Sequence, residues 1–378
     1  MNTARLDLDT PCTQATPLDQ IGFELGWDYA HHRFEPPLPY GEQASSLRQG
    51  LLAGRATFGL RTLQATRPVR KWLQLRLHAW LRGRSVELFQ VTPNYLRQIE
   101  VSHCPITRVA LSVATLAGSD SSVDRVRNDA GYAAGNLAVM STKANHAKAA
   151  HGYRSARLLA LHAAAATDGF RAEASDSANG VVPGSAGLTG AEWARVATLC
   201  SFVEALPHEV AVTLPLRVLP PNRLRLFNPV QALQALLSRQ LLQPGWSRRC
   251  ARFEALLKGK ETKRDFRAFV IALLPRVLEA GRLTDPLAMR WAVEDAWSNA
   301  LVQKRWQAFA GPLGAEACAA LVQRAATKKL ATIRVVSFEP TRATEGWDLE
   351  TRGYVVAPGS HDKGSTYGPQ LALALQPG

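Results

Sequence analysis

SVDRVRNDAGYAAGNLAVMSTKANHAKAAHG, residues 122–152, is the stretch whose reading decides the fold. Asp124 closes a short β-branched strand, a glycine-punctuated loop follows, and NLAVMS (136–141) reads as a second short strand. Ser141 is placed to cap a helix that runs from Thr142 through Ala166. Gly152 costs that helix about 1 kcal/mol relative to alanine, which the Ala/Leu-rich stretch after it tolerates. Asn136 stands twelve residues after Asp124, and Asn145 nine further on, in the first helical turn. A strand–loop–strand–helix of this size brings strand end and helix start together, so a carboxylate and an amide oxygen can meet on one cation. Hard oxygen donors with open water positions suit Mg²⁺ or Mn²⁺ better than zinc. Lys148, three residues after Asn145, shares its helical face and is placed to neutralise a phosphate.

Asp124-Arg125, Gly131-Tyr132, Gly135-Asn136, Ser141, Ala144-Asn145 and Lys148 together resemble the HNH, or His-Me finger, nuclease superfamily, in a phage-type variant carrying "DR" where most members carry "DH". His103-Cys104-Pro105-Ile106-Thr107 is similar to the "CPxT" lead-in of such sequences, and the resemblance covers residues 101–155, about a seventh of the chain. It implies a ββα-metal finger in which Asp124 and Asn145 hold the ion, Asn136 fixes the loop between the strands, and Gly131 and Gly135 permit its turns. Arg125 stands in the general-base histidine's place, and a guanidinium stays protonated, so it cannot take a proton from water. Three outcomes follow. His103, His146, His151 or a metal-bound hydroxide acts as base; Arg125 holds the scissile phosphate; or the finger is silent and only binds DNA.

Outward from this stretch, VSHCPITRVALSVATL (101–116) reads as extended segments ending in a turn at AGSDSS. Residues 1–60 are mixed and turn-rich. Residues 61–84 carry seven Arg or Lys and no acid, and Pro68 opens a short basic amphipathic helix ending near Gly83. Lys71, Arg76, Arg82, Arg84 and, on the finger helix, Lys143 are candidate nucleic-acid contacts. Residues 168–190 read as a linker, followed by helices at 191–206, 228–242, 263–281, 285–310 and 315–330, a strand-like TIRVVSF, and a loose tail from 356. Trp291, Trp297 and Trp306 are expected to pack the core.

The expected class is α+β: a basic N-terminal region (1–100), the finger with its long helix (101–167), the linker, an α-helical C-terminal domain (191–355) and the tail (356–378). The chain has 378 residues and a formal charge of +14, which favours a polyanionic partner, DNA before RNA. Five scattered cysteines without a CxxC pair exclude a zinc knuckle and a secreted disulfide framework. No basic n-region with an apolar h-region opens the chain and no run approaches a membrane span, so a cytoplasmic protein is expected. The expected function is a metal-dependent HNH-like endonuclease hydrolysing DNA, with a protein partner on the C-terminal helices possible in principle. The alternative is a non-catalytic nucleic-acid-binding protein with a degenerate finger.

Overall fold

The computed structural model describes residues 15–171, 187–330 and 344–356. The described chain is mostly helical, with one two-stranded antiparallel sheet. It divides into two compact units, one from residues up to 97 together with residues from 350, the other from 98 to 349. The TIRVVSF segment, most of the expected linker and nearly all of the tail lie outside the described residues.

The first unit is built on α1 (Pro17–His31), α2 (Ser46–Phe58) and α3 (Arg67–Leu81), and α4 (Pro93–Ile99) begins at its end. Thr16 and Asp19 form a reciprocal capping box around Pro17, and the Ser45 hydroxyl accepts the Arg48 N–H, so both early helices have hydrogen-bonded starts. The expectation of a turn-rich region over 1–60 is therefore corrected. Four glycines, Gly22, Gly26, Gly50 and Gly54, lie inside these two helices. In the fold they let two helices touch backbone to backbone: a Cβ on Gly26 would lie 1.9 Å from the Leu47 carbonyl oxygen, and one on Gly50 1.9 Å from that of Phe23. Leu25, Tyr29, Leu47, Leu51, Leu73 and Leu77 form the core beneath.

The second unit holds β1 (Ser121–Arg125), β2 (Leu137–Ser141), α5 (Thr142–Lys148), α6 (Tyr153–Arg171), α7 (Gly190–Ser201), α8 (His208–Ala211), α9 (Pro229–Leu241), α10 (Trp246–Glu254), α11 (Lys260–Ala280), α12 (Pro286–Ala296), α13 (Ala300–Ala310) and α14 (Gly314–Thr327). The finger residues and the helices after the linker are not separate domains. Ala130, Ala138 and Met140 belong to the same buried cluster as Trp193, Leu233, Phe269, Trp297 and Trp306. Trp297 donates its indole N–H to Ser238 Oγ at 2.8 Å and meets Trp306 edge-on at 5.2 Å. Trp291, expected in this core, is only half-buried.

Two expected helices are each broken in two. The helix expected to run unbroken from Thr142 stops at Ala149, which adopts φ +41 and donates its N–H to the Asn145 carbonyl; α6 starts after Gly152. The segment 285–310 divides into α12 and α13 because Asn299 turns its Oδ1 onto the N–H groups of Leu301 and Val302 and starts a new helix. The lead-in to β1 is compact rather than extended. Arg108, Ala114 and Leu116 take positive φ, and pairing is limited among the described residues to the bridges His103↔Ala110 and Ser112↔Asp120. Asp120 ties this loop together by accepting from Ser112 Oγ and Thr115 Oγ1, both at 2.7 Å, and from the Leu116 N–H at 2.8 Å.

Candidate functional site

β1 and β2 pair antiparallel with Asp124 opposite Ala138 and Arg125 opposite Leu137, and α5 leaves directly from the end of β2. All five residues of β2 are buried, as is Asp124 on β1. The Ser141 hydroxyl accepts the Ala144 N–H at 3.3 Å and so starts α5. This places Asn145 and Lys148 of α5 beside β1.

Lys148 has no solvent exposure, and its ammonium meets three oxygens: Asp124 Oδ2 at 2.9 Å, the Arg125 carbonyl at 3.0 Å and Asn128 Oδ1 at 3.1 Å. The carbonyl and the amide oxygen accept hydrogen bonds, while the Asp124 contact is an ion pair whose Oδ2 is buried without a hydrogen-bond donor in line. The expectation that Lys148 meets a phosphate is thus corrected, because a fully buried ammonium is out of a phosphate's reach. Burial pushes the Asp124 carboxyl up from its ordinary range, with Lys148 pulling the other way. Asn145 donates its Nδ2 to Ser122 Oγ at 2.8 Å.

The loop between the strands is held by the side chains of Asn136, Arg125 and Trp347. Asn136 is fully buried; its Oδ1 accepts the Arg127 N–H at 2.8 Å, while its Nδ2 donates to the carbonyls of Arg127 and Gly131, both at 3.1 Å. Arg125 donates Nη1 to the carbonyls of Asn128 (3.1 Å) and Ala130 (2.8 Å) and lies 5.1 Å from the Tyr132 ring centroid. Its guanidinium therefore staples the loop. Gly135 adopts φ +89, and its carbonyl accepts the Arg225 N–H at 2.9 Å. Trp347, fully buried, closes the same loop: its carbonyl accepts the Gly131 N–H at 2.8 Å and its indole N–H donates to the Ala134 carbonyl at 3.1 Å.

The two side chains expected to share a divalent ion are each turned to a neighbour, Asp124 Oδ2 to Lys148 and Asn145 Nδ2 to Ser122 Oγ. A metal on the Asp124 carboxylate would sit against the Lys148 ammonium. Among the described residues no three His, Cys, Asp or Glu side chains converge on a common point. Of the candidate bases, His103 turns Nδ1 toward Ser102 Oγ at 3.1 Å and sets its ring edge-on to Trp291 at 5.7 Å. His151 packs edge-on to Trp193 at 5.5 Å, and His146 is exposed. Cys104 is buried, accepting from the Thr107 N–H and Ser141 Oγ, each at 3.4 Å.

The basic helix, which is α3, divides its charges. Arg76 is 3% exposed, ion-paired with Asp28 and stacked 4.3 Å from the Trp72 ring, which corrects its assignment as a phosphate contact. Arg84 lies 3.5 Å from the Tyr354 ring centroid and donates to the Arg352 carbonyl at 2.9 Å. Lys71 is half-buried, while Arg82 and, on α5, Lys143 are exposed. Sequence reasoning missed Asn128 and Trp347. The first carried a faint signal, an amide four residues past Asp124; the second carried none, lying more than two hundred residues away. Compared with protein-family models, curated proteins and solved structures, the chain gave no match.

Proposed function

We propose that this chain is a nucleic-acid-binding protein whose ββα finger is a structural module rather than a catalyst. One observation carries the reading: the Lys148 ammonium, buried and 2.9 Å from Asp124 Oδ2, already supplies a positive charge to that carboxylate. Arg125, in the general-base position of the resemblance, is neither a proton acceptor nor free of the loop it staples. The charge of +14 supports a polyanionic partner, DNA or RNA. No helix among the described residues is long and apolar enough to cross a membrane. Cys104, Cys200, Cys250 and Cys318 are buried free thiols, which suits a reducing compartment such as the cytoplasm.

A second reading, Mg²⁺- or Mn²⁺-dependent hydrolysis of DNA, rests on one feature: β1, β2 and α5 follow in the order the resemblance implies, with Asp124 on β1 and Asn145 on α5. It requires Lys148 to release Asp124. Fluorescence anisotropy with labelled duplex DNA, single-stranded DNA and RNA over a salt series, beside a supercoiled-plasmid nicking assay with each divalent ion, separates the two. Salt-dependent binding without nicking is expected. Nicking that disappears in Asp124→Ala would establish the nuclease instead.

A further inference from the structure

A second cluster of charge lies in the same unit, away from Asp124 and Lys148 in sequence and built on different elements. Arg108, in the lead-in loop, donates Nη1 and Nη2 to the two Asp295 oxygens at 2.7 and 2.6 Å, and its Nη2 lies 3.5 Å from Glu294. Glu294, buried on α12, receives Arg290 Nε and the Leu219 N–H, both at 2.8 Å and both on Oε1, which leaves Oε2 to Arg108. Arg195 of α7 donates to the Ile106 carbonyl at 2.8 Å, and Arg239 of α9 donates to the Pro220 carbonyl at 2.9 Å. Arg217 faces Asp295 electrostatically, yet its guanidinium makes no hydrogen bond or ion pair among the described residues. Arg108 Nε is buried and likewise without a partner.

The ledger of charge does not balance. Four guanidinium groups, those of Arg108, Arg195, Arg217 and Arg290, face two carboxylates, and Glu192, the next acid near Arg195, is occupied capping α7 through Thr189. Burial lowers the proton affinity of Arg195 and Arg217, with Asp295 pulling the other way at both. Asp295 is 58% exposed, so the cluster opens to solvent at that carboxylate. Forked guanidiniums of this kind match the oxygens of a phosphodiester.

We propose that Arg108, Arg195 and Arg217 form a contact site for a backbone phosphate of a nucleic acid, with Asp295 as the internal anion that the phosphate displaces. The site rests on the nucleic-acid-binding reading above and adds where the backbone meets the protein. Arg108 and Arg195 are held in place by the lead-in loop, while Arg217 is the donor not yet engaged.

The test is anisotropy of a labelled oligonucleotide over a salt series with the full chain, Arg217→Gln and Asp295→Asn, each checked by circular dichroism. Arg217→Gln is expected to weaken binding about tenfold and to reduce the log–log salt slope by about one. Asp295→Asn is expected to tighten binding about threefold, the direction a merely structural role would not give. Oligonucleotide binding by the wild type that neither variant alters would overturn this site and leave the broader reading standing. Absence of oligonucleotide binding at low salt, with a polyglutamate peptide bound instead and lost in Arg217→Gln, would overturn both and assign the cluster to an acidic protein partner.

Discussion

Replacing Lys148 by methionine keeps the apolar stem and removes the ammonium, which isolates what that charge does. The Arg125 carbonyl and Asn128 Oδ1 lose their donor, and the Asp124 carboxylate is left buried without its counter-charge. Removing one member of a buried ion pair costs about 3–5 kcal/mol. For a unit of this size that corresponds to a fall in melting temperature of roughly 6–20 °C. The sign with pH is also fixed. Burial already raises the Asp124 carboxyl, and Lys148 is what opposes the rise, so in Lys148→Met the native state holds a proton that the unfolded chain has released. Stability of that variant therefore falls as pH rises above the ordinary carboxylate range, and the loss is greater at pH 8 than at pH 5. The double variant Asp124→Asn/Lys148→Met is expected to lose less than the two single losses added together. Thermal denaturation at both pH values, with hydrogen exchange of residues 121–151, measures all of this. A Lys148→Met protein within about 1 kcal/mol of the parent at pH 8, or one whose loss grows on acidification, would refute the reasoning.

Gly26→Ala or Gly50→Ala drives a methyl into backbone of the facing helix and is expected to cost about 3 kcal/mol, whereas Gly152→Ala, with open space around it, stays within about 0.5 kcal/mol by denaturant titration. Asn136→Ala is expected to lose about 3 kcal/mol and the exchange protection of the Arg127 amide. Asn136→Asp does not restore it, because a carboxylate cannot donate to the two carbonyls. Burial lowers the proton affinity of His32 and His78, so their contribution is complete above about pH 6.5 and is lost as pH falls below it. The first unit is therefore expected to melt lower at pH 5.5 than at pH 7.5, with a smaller difference in His78→Gln.

The parts legible in the sequence are those that local chemistry writes. Ser141 caps α5, the Asp285-Pro286 pair opens α12, and the unbroken apolar run Leu137–Met140 makes a buried strand. What a side chain faces at a distance was not legible. Lys148 reads as a phosphate ligand in any local window, and only its depth beneath β1 turns it inward. Arg76 sits in a run of positive charge, but its partner Asp28 lies forty-eight residues earlier, on α1. Gly22 and Gly26, with Gly50 and Gly54, are spaced at one helical turn, and that pairing of two spaced glycine motifs is the signal that would have revealed α1 and α2. The break at Ala149 was hidden because alanine favours the helix everywhere else.

The cation beneath β1 is a covalent part of the polypeptide, made on the ribosome together with the aspartate it neutralises. The neutralising charge therefore travels with the sequence, and a substitution at either residue leaves the other uncompensated. The charge balance beneath β1 is then set by pH and by the chain itself, since both partners are side chains of one polypeptide.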